Sequence, residues 1–170
     1  LLDEMLASNV SGIINCGCTV ESSKTSILFA EKYPQIYAAV GIHPQNAAEE
    51  SADALDKIEQ LARHEKVVAI GEIGLDYHYP DTDRECQMKY LRMQMELSLA
   101  LDIPVVIHDR DAHGDVLEII KEFPGVRGVL VVAQGAGDIR VRLQLLEAVQ
   151  TFLNIGTDKV EVLKMYDTDR

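Results

Sequence analysis

Six short runs of β-branched and apolar residues constrain this chain more than any other feature: GIINC at 12–16, IYAAV at 36–40, VVAI at 67–70, PVVI at 104–107, RGVLVV at 127–132 and TFLNI at 151–155. Each is apolar on both faces, so each must be covered on both sides, the condition met by parallel strands wrapped in helices. Stretches of helical period separate them, which is the order of repeated strand–helix units rather than of a bundle or sandwich. Helices are expected over 22–33, over a run opened by Ser51 with Leu55, Ile58 and Leu61 on one face, and over 114–123. Thr82-Asp83-Arg84-Glu85 has the form of a capping box and leads into a long helix carrying Met88, Leu91, Met95 and Leu99 as core filling. A last helix over 138–149 is expected to turn Ile139, Leu143, Leu146 and Val149 inward. No linker or shift in composition divides the chain, so residues 1–170 are expected to form a single domain.

Two architectures suit such repeats, a doubly wound open sheet and a (β/α)8 barrel. Cys16-Gly17-Cys18-Thr19 and Gly71-Glu72-Ile73-Gly74 match neither a dinucleotide fingerprint nor a phosphate loop, which favours the barrel. A barrel draws its reacting groups from the C-terminal ends of several strands. Ligand-type residues recur there: His43 after the second run, Glu72 after the third, and His108-Asp109-Arg110-Asp111 after the fourth. Glu72, flanked by apolar residues, needs a cation to offset burial, either a metal or Arg110. His108 beside carboxylates suits a divalent hydrolytic metal. His43 stands in a Gly-x-His-Pro turn, which serves equally as a rigid loop. His64 reads as a helix-end cation, and His78 and His113 as loop residues beyond the ligand positions. No Gly-x-Ser-x-Gly elbow is present, and Cys16 and Cys18 lack an evident base partner.

Composition narrows the function classes. A formal charge of -12 disfavours salt-driven, non-specific binding of phosphate backbones, although divalent metals invert that sign locally. No apolar run is long enough to span a bilayer, and the first residues show neither a basic region nor an apolar signal core. Three cysteines without a Cys-x-x-Cys pair fit reduced thiols, hence a cytoplasmic expectation. No membrane and no obligate protein partner is expected.

Gly41-Ile42-His43-Pro44, Ala69-Ile70-Gly71-Glu72-Ile73-Gly74-Leu75-Asp76-Tyr77 and Pro104-Val105-Val106-Ile107-His108-Asp109-Arg110-Asp111-Ala112 together resemble the TatD-like metal-dependent hydrolases, as do Gln87 and Gln94 between them. That family comprises amidohydrolase-type (β/α)8 barrels described as deoxyribonucleases. The resemblance implies two divalent ions (Mg2+, Mn2+ or Zn2+), with Glu72 bridging both and His108 binding one. It further implies that His43, Asp76 and Arg110 support the ligands or contact a phosphate of DNA or a small phosphodiester. Asp169, in Asp167-Thr168-Asp169, matches a further metal ligand of the family. The family's first-strand His-x-His pair has no counterpart here, and Val131 takes the place of its sixth-strand histidine. The chain is therefore expected to be a barrel lacking its first strand and parts of its C-terminal units, and a piece of a longer protein. Other readings are a metal-dependent esterase or deacylase acting on a small or aminoacyl-tRNA substrate, and a catalytically silent relative.

Overall fold

A computed structural model describes residues 10–153 and 156–165. Its strands are β1 (Ile13–Cys16), β2 (Ile36–Val40), β3 (Val67–Asp76), β4 (Val105–Arg110), β5 (Val129–Ala133) and β6 (Val160–Lys164). Between them run α1 (Val20–Lys32), α2 (Ala54–Ala62), α3 (Arg84–Leu101), α4 (His113–Lys121) and α5 (Ile139–Leu153). The sheet is parallel throughout, with its strands side by side in chain order. When each crossover returns to the next strand with the same right-handed sense, all helices fall on one face and the sheet curls. The result is an incomplete (β/α)8-type barrel, curled about halfway round.

The two faces of the sheet differ accordingly. Ile36, Ala38, Val40, Val105, Ile107, Val129, Val131, Val160 and Val162 pack under the helices in the main core. Ala39, Ala69 and Val106 form a small inner cluster, with Cys16, Leu130 and Val132 against it. Below it the inner face opens into a cavity of about 630 Å³ bordered by Ile14, Val106 and Leu130. Among the described residues no helix is long and apolar enough to cross a membrane.

Local chemistry explains most element boundaries. Thr19 caps α1, accepting from the Ser22 N–H while the Ser22 hydroxyl accepts from the Thr19 N–H. The cap of α3 is Asp83, whose carboxylate accepts from the Cys86 N–H, rather than a box built on Thr82. Within α3, Leu91 and Met95 are fully buried, whereas Leu99 is exposed.

Three expectations are corrected. The run at 151–155 does not open the sixth strand: residues 151–153 end α5, residues 154–155 lie outside the described residues, and the strand is β6 further on. Leu153 is buried beneath the sheet as part of a helical stripe with Leu145 and Val149, a stripe whose period the short apolar run concealed. The inward face of α5 is therefore Leu145, Val149 and Leu153, while Ile139 and Leu143 are exposed. Finally, β3 and β4 continue past Ile70 and Ile107 to Asp76 and Arg110. The charged residues that seemed to terminate them lie inside the strands.

Candidate metal centre

Charged side chains persist in β3 and β4 because the C-terminal ends of these strands face the mouth of the half-barrel. In β4, His108 and Arg110 share the parity of the inner residue Val106, and the register sets His108 beside Gly74 and Arg110 beside Asp76. Glu72 reaches the same side through an irregularity: the β3–β4 register shifts between Ile70 and Ile73, both in the main core. Such bulges re-aim a side chain while the flanking residues stay in register. The glycines around Glu72 permit the close approach. A Cβ on Gly71 would lie 2.6 Å from the Val106 Cβ, and one on Gly74, at φ +141°, 2.0 Å from the His108 carbonyl oxygen.

At the mouth, His108 is the hub. Its Nε2 is 3.0 Å from Asp76 Oδ2, its Nδ1 3.4 Å from Glu72 Oε1 and 3.1 Å from His43 Nε2. The two rings meet edge to face with centroids 4.3 Å apart. Asp76, whose side chain is fully buried, is itself held from three sides. It accepts from the Gln45 amide (2.9 Å) and the His78 N–H (3.1 Å), and its own N–H donates to Gln87 Oε1 (2.9 Å). His43 is set by the 3-10 turn that follows it, its Nδ1 accepting the Gln45 N–H at 3.2 Å. Once His108 Nδ1 is free of its proton, as when it binds a metal, neutral His43 carries its own proton on Nε2, the nitrogen facing the centre.

The electrostatics divide the two histidines. Burial, reinforced by the neighbouring His108 charge, lowers His43 to about 4. Burial also opposes charge on His108, but hydrogen bonds to Asp76 and Glu72 outweigh it and raise His108 to about 8. For Glu72 and Asp76 burial likewise favours the neutral acid, and the contacts with His108 overcome it, so both carboxyls sit below their ordinary values. At neutral pH the positive charge of His108 lies between two carboxylates. Burial, with Glu72 adding to it, pushes Cys16 up to about 12 and raises Cys18 as well, so neither thiol is poised as a nucleophile.

The donor set fits a divalent ion. Ligand atoms of His43, Glu72 and His108 all lie within 4.8 Å of one another, and with His43 Nδ1 taken by the Gln45 N–H, the donors open to an ion are Glu72 and Nδ1 of His108. Ion-to-ligand distances of about 2.0–2.2 Å place two ligands of one ion at most about 4.4 Å apart, so small side-chain adjustments suffice. The Asp76–His108 contact is the carboxylate support that metal-bound imidazoles normally receive.

Of the residues singled out in the sequence, Glu72, His108, His43 and Asp76 thus come together. Arg110 lies on the same face, its guanidinium 5.7 Å from the Tyr79 ring centroid. Asp169 lies outside the described residues. Val131 does not occupy the mouth: it is buried under the helices, and Val132 is the residue that faces inward beside His108. His113 is no loop residue but opens α4, its Nδ1 2.6 Å from Asp109 Oδ2. His78 lies 3.1 Å from Asp111, and His64 meets Glu31 at 3.1 Å. Gln45 was missed, because a glutamine after His-Pro carries no chemical signal until the fold sets it against Asp76.

Comparison with known proteins identifies the family. A family model described as "TatD related DNase" matches residues 1–144. The uncharacterized metal-dependent hydrolase YabD of Bacillus subtilis is 35% identical over 82% of this chain and 55% of its own length. The 3'-5' ssDNA/RNA exonuclease TatD of Salmonella typhimurium is 32% identical over 67% of this chain and 44% of its own length. The chain thus spans about half the length of these curated relatives. The crystal structure of YjjV, a TatD homologue from Escherichia coli, superposes with a TM-score of 0.76 at 27% identity, covering 94% of this chain and 61% of that one. An uncharacterized amidohydrolase from Saccharomyces cerevisiae shares the fold at 18% identity, with a TM-score of 0.67. With the Gly-Glu-Ile-Gly-Leu-Asp-Tyr segment building the centre and the family model spanning most of the chain, this protein belongs to the TatD-related DNase family.

Proposed function

We propose that the full protein is a metal-dependent phosphodiesterase that hydrolyses single-stranded nucleic acid from an end. The observation that carries this reading is the position of His108, clamped between the Asp76 and Glu72 carboxylates at the C-terminal ends of adjacent parallel strands. In this reading Glu72 and Nδ1 of His108 are metal ligands, and a cation takes over the charge that His108 carries in the metal-free protein. Divalent ions bound here supply Lewis-acid polarisation of the phosphodiester and lower the pKa of water. A second ion, held partly by Glu72 and by Asp169, belongs to the same proposal.

The remaining residues act on the substrate or on the ligands. Asp76 fixes the His108 ring through Nε2, leaving Nδ1 turned to Glu72. His43, neutral and protonated on Nε2, donates a hydrogen bond to a phosphate oxygen, and the forked donors of Arg110 hold another. Relatives named as exonucleases acting on ssDNA and RNA support the choice of substrate. The chain is read as part of one barrel domain, and the free thiols of Cys16, Cys18 and Cys86 support a cytoplasmic location.

The test is cleavage of a 3'-labelled single strand by the full protein with Mg2+, Mn2+ or Zn2+. Activity is expected to require the metal and to fall at least about 100-fold in Glu72→Gln, a loss in the range for removing one preorganised charge-stabilising group. Metal-dependent turnover of small esters with none of DNA or RNA would replace the nuclease reading by the deacylase one.

A further inference from the structure

A cavity of about 290 Å³ opens beside the centre, between the turn at 44–48 and the segment 79–87. Gln45 and Gln87 form the wall it shares with the centre, since both also hydrogen-bond to Asp76. Pro44, Ala48 and the Tyr79 ring supply apolar surface. Tyr79, 45% exposed as a residue, is set in place by its neighbours. Pro80 holds Tyr79 extended, the Tyr79 carbonyl accepts from the Thr82 N–H (3.3 Å) and hydroxyl (2.7 Å), and the His78 ring packs edge-on at 5.2 Å.

Two further features define what the cavity takes. The Arg110 guanidinium lies over the Tyr79 ring, so a cation suited to phosphate and an aromatic face suited to a base stand about one ribose apart. The charged residues lining the cavity, Asp81 and Asp83, are both acidic. Carboxylates repel a phosphate but accept from an amine. The volume lies at the lower limit of ligand pockets and suits a single planar ring system.

We infer that this cavity is a nucleobase subsite. Tyr79 stacks the base adjoining the phosphodiester held at Arg110, and Asp81 accepts from an exocyclic amine, favouring cytosine over thymine. This rests on the nucleic-acid reading given above and adds to it a side chain that positions the substrate and a base preference.

Fluorescence anisotropy of the full protein in EDTA, with short labelled strands of oligodeoxycytidine, oligothymidine and an abasic analogue, tests the inference, and KM values for the same strands with Mn2+ give a parallel readout. Tyr79→Leu is expected to weaken the cytosine strand about tenfold or more while leaving the abasic strand unchanged. Tyr79→Trp restores binding, and Asp81→Asn removes the preference for cytosine over thymine. Because Tyr79 is half exposed, thermal melts of the variants should match the wild type. Equal weakening of all three strands by Tyr79→Leu, or of none, overturns the subsite. A protein that cleaves DNA in a Glu72-dependent way yet ignores Tyr79 loses this inference alone. One that neither binds nor cleaves any strand loses the nuclease reading with it.

Discussion

His108 shows how one side chain links the fold to its chemistry. Its folded-state value of about 8 exceeds the ordinary 6.5, so in the metal-free protein its protonated form stabilises the fold. That contribution, on the order of 2 kcal/mol, is fully present below about pH 6.5 and is lost as pH rises through about 8. A metal competes for the same nitrogen, so its apparent affinity should climb across that window and level off above it. Calorimetric titration with Mn2+ at several pH values, beside urea denaturation in EDTA, measures both trends. Affinity independent of pH between 6 and 8 would remove His108 from the ligand set. The residues of the Gly-Glu-Ile-Gly segment have equally local reasons. Gly71 and Gly74 let the β4 backbone come close enough for His108 to meet Glu72, and a methyl group at either position would collide with it. These contacts belong to the folded sheet, so the motif is legible as a word in the sequence while its cause is not.

At the scale of elements, α3 works as a clamp. Gln94 is completely buried, and its amide pairs with both backbone groups of Ile42, accepting from the N–H at 2.7 Å and donating to the carbonyl at 3.1 Å. It thereby ties the helix to the turn that presents His43. Gln94→Leu strands two buried backbone groups and is expected to cost about 1–3 kcal/mol of stability. It should also raise KM by freeing the His43 turn. Chemical denaturation and steady-state kinetics on the full protein report the two effects separately, and a variant as stable as the wild type would mean that the clamp is dispensable. Strand existence was legible for β1 to β5, because both-face apolar runs have few other uses. The C-terminal ends of β3 and β4 were not legible, since polar residues stop a strand in sequence logic yet continue it where the inner face meets solvent. The failure at 151–155 has the same root: an apolar run of that length belongs equally to a strand or a buried helix end until a partner surface is known.

For the molecule as a whole, the sequential parallel sheet leaves edges. Among the described residues β1 and β6 each pair on one side only, and Ile14, Tyr37 and Leu163 are 47%, 40% and 43% exposed. Open strand edges beside apolar surface promote association. Produced by itself, this 170-residue chain is expected to self-associate with rising concentration in sedimentation velocity, and a concentration-independent monomer would mean that the open edges do not drive association. The strand–helix repeat, the barrel class and Glu72, His108 and His43 as ligand-type residues at strand ends were legible in the sequence alone, because period and residue chemistry are local properties, whereas Asp76 entered only through the family resemblance. The tertiary structure decided what depends on register and approach: the bulge that aims Glu72, the inward place of Val132 rather than Val131, Gln45 on Asp76, and Tyr79 between Arg110 and an acidic cavity. Each of these joins segments distant in the chain, and only the packed sheet sets the distances between them.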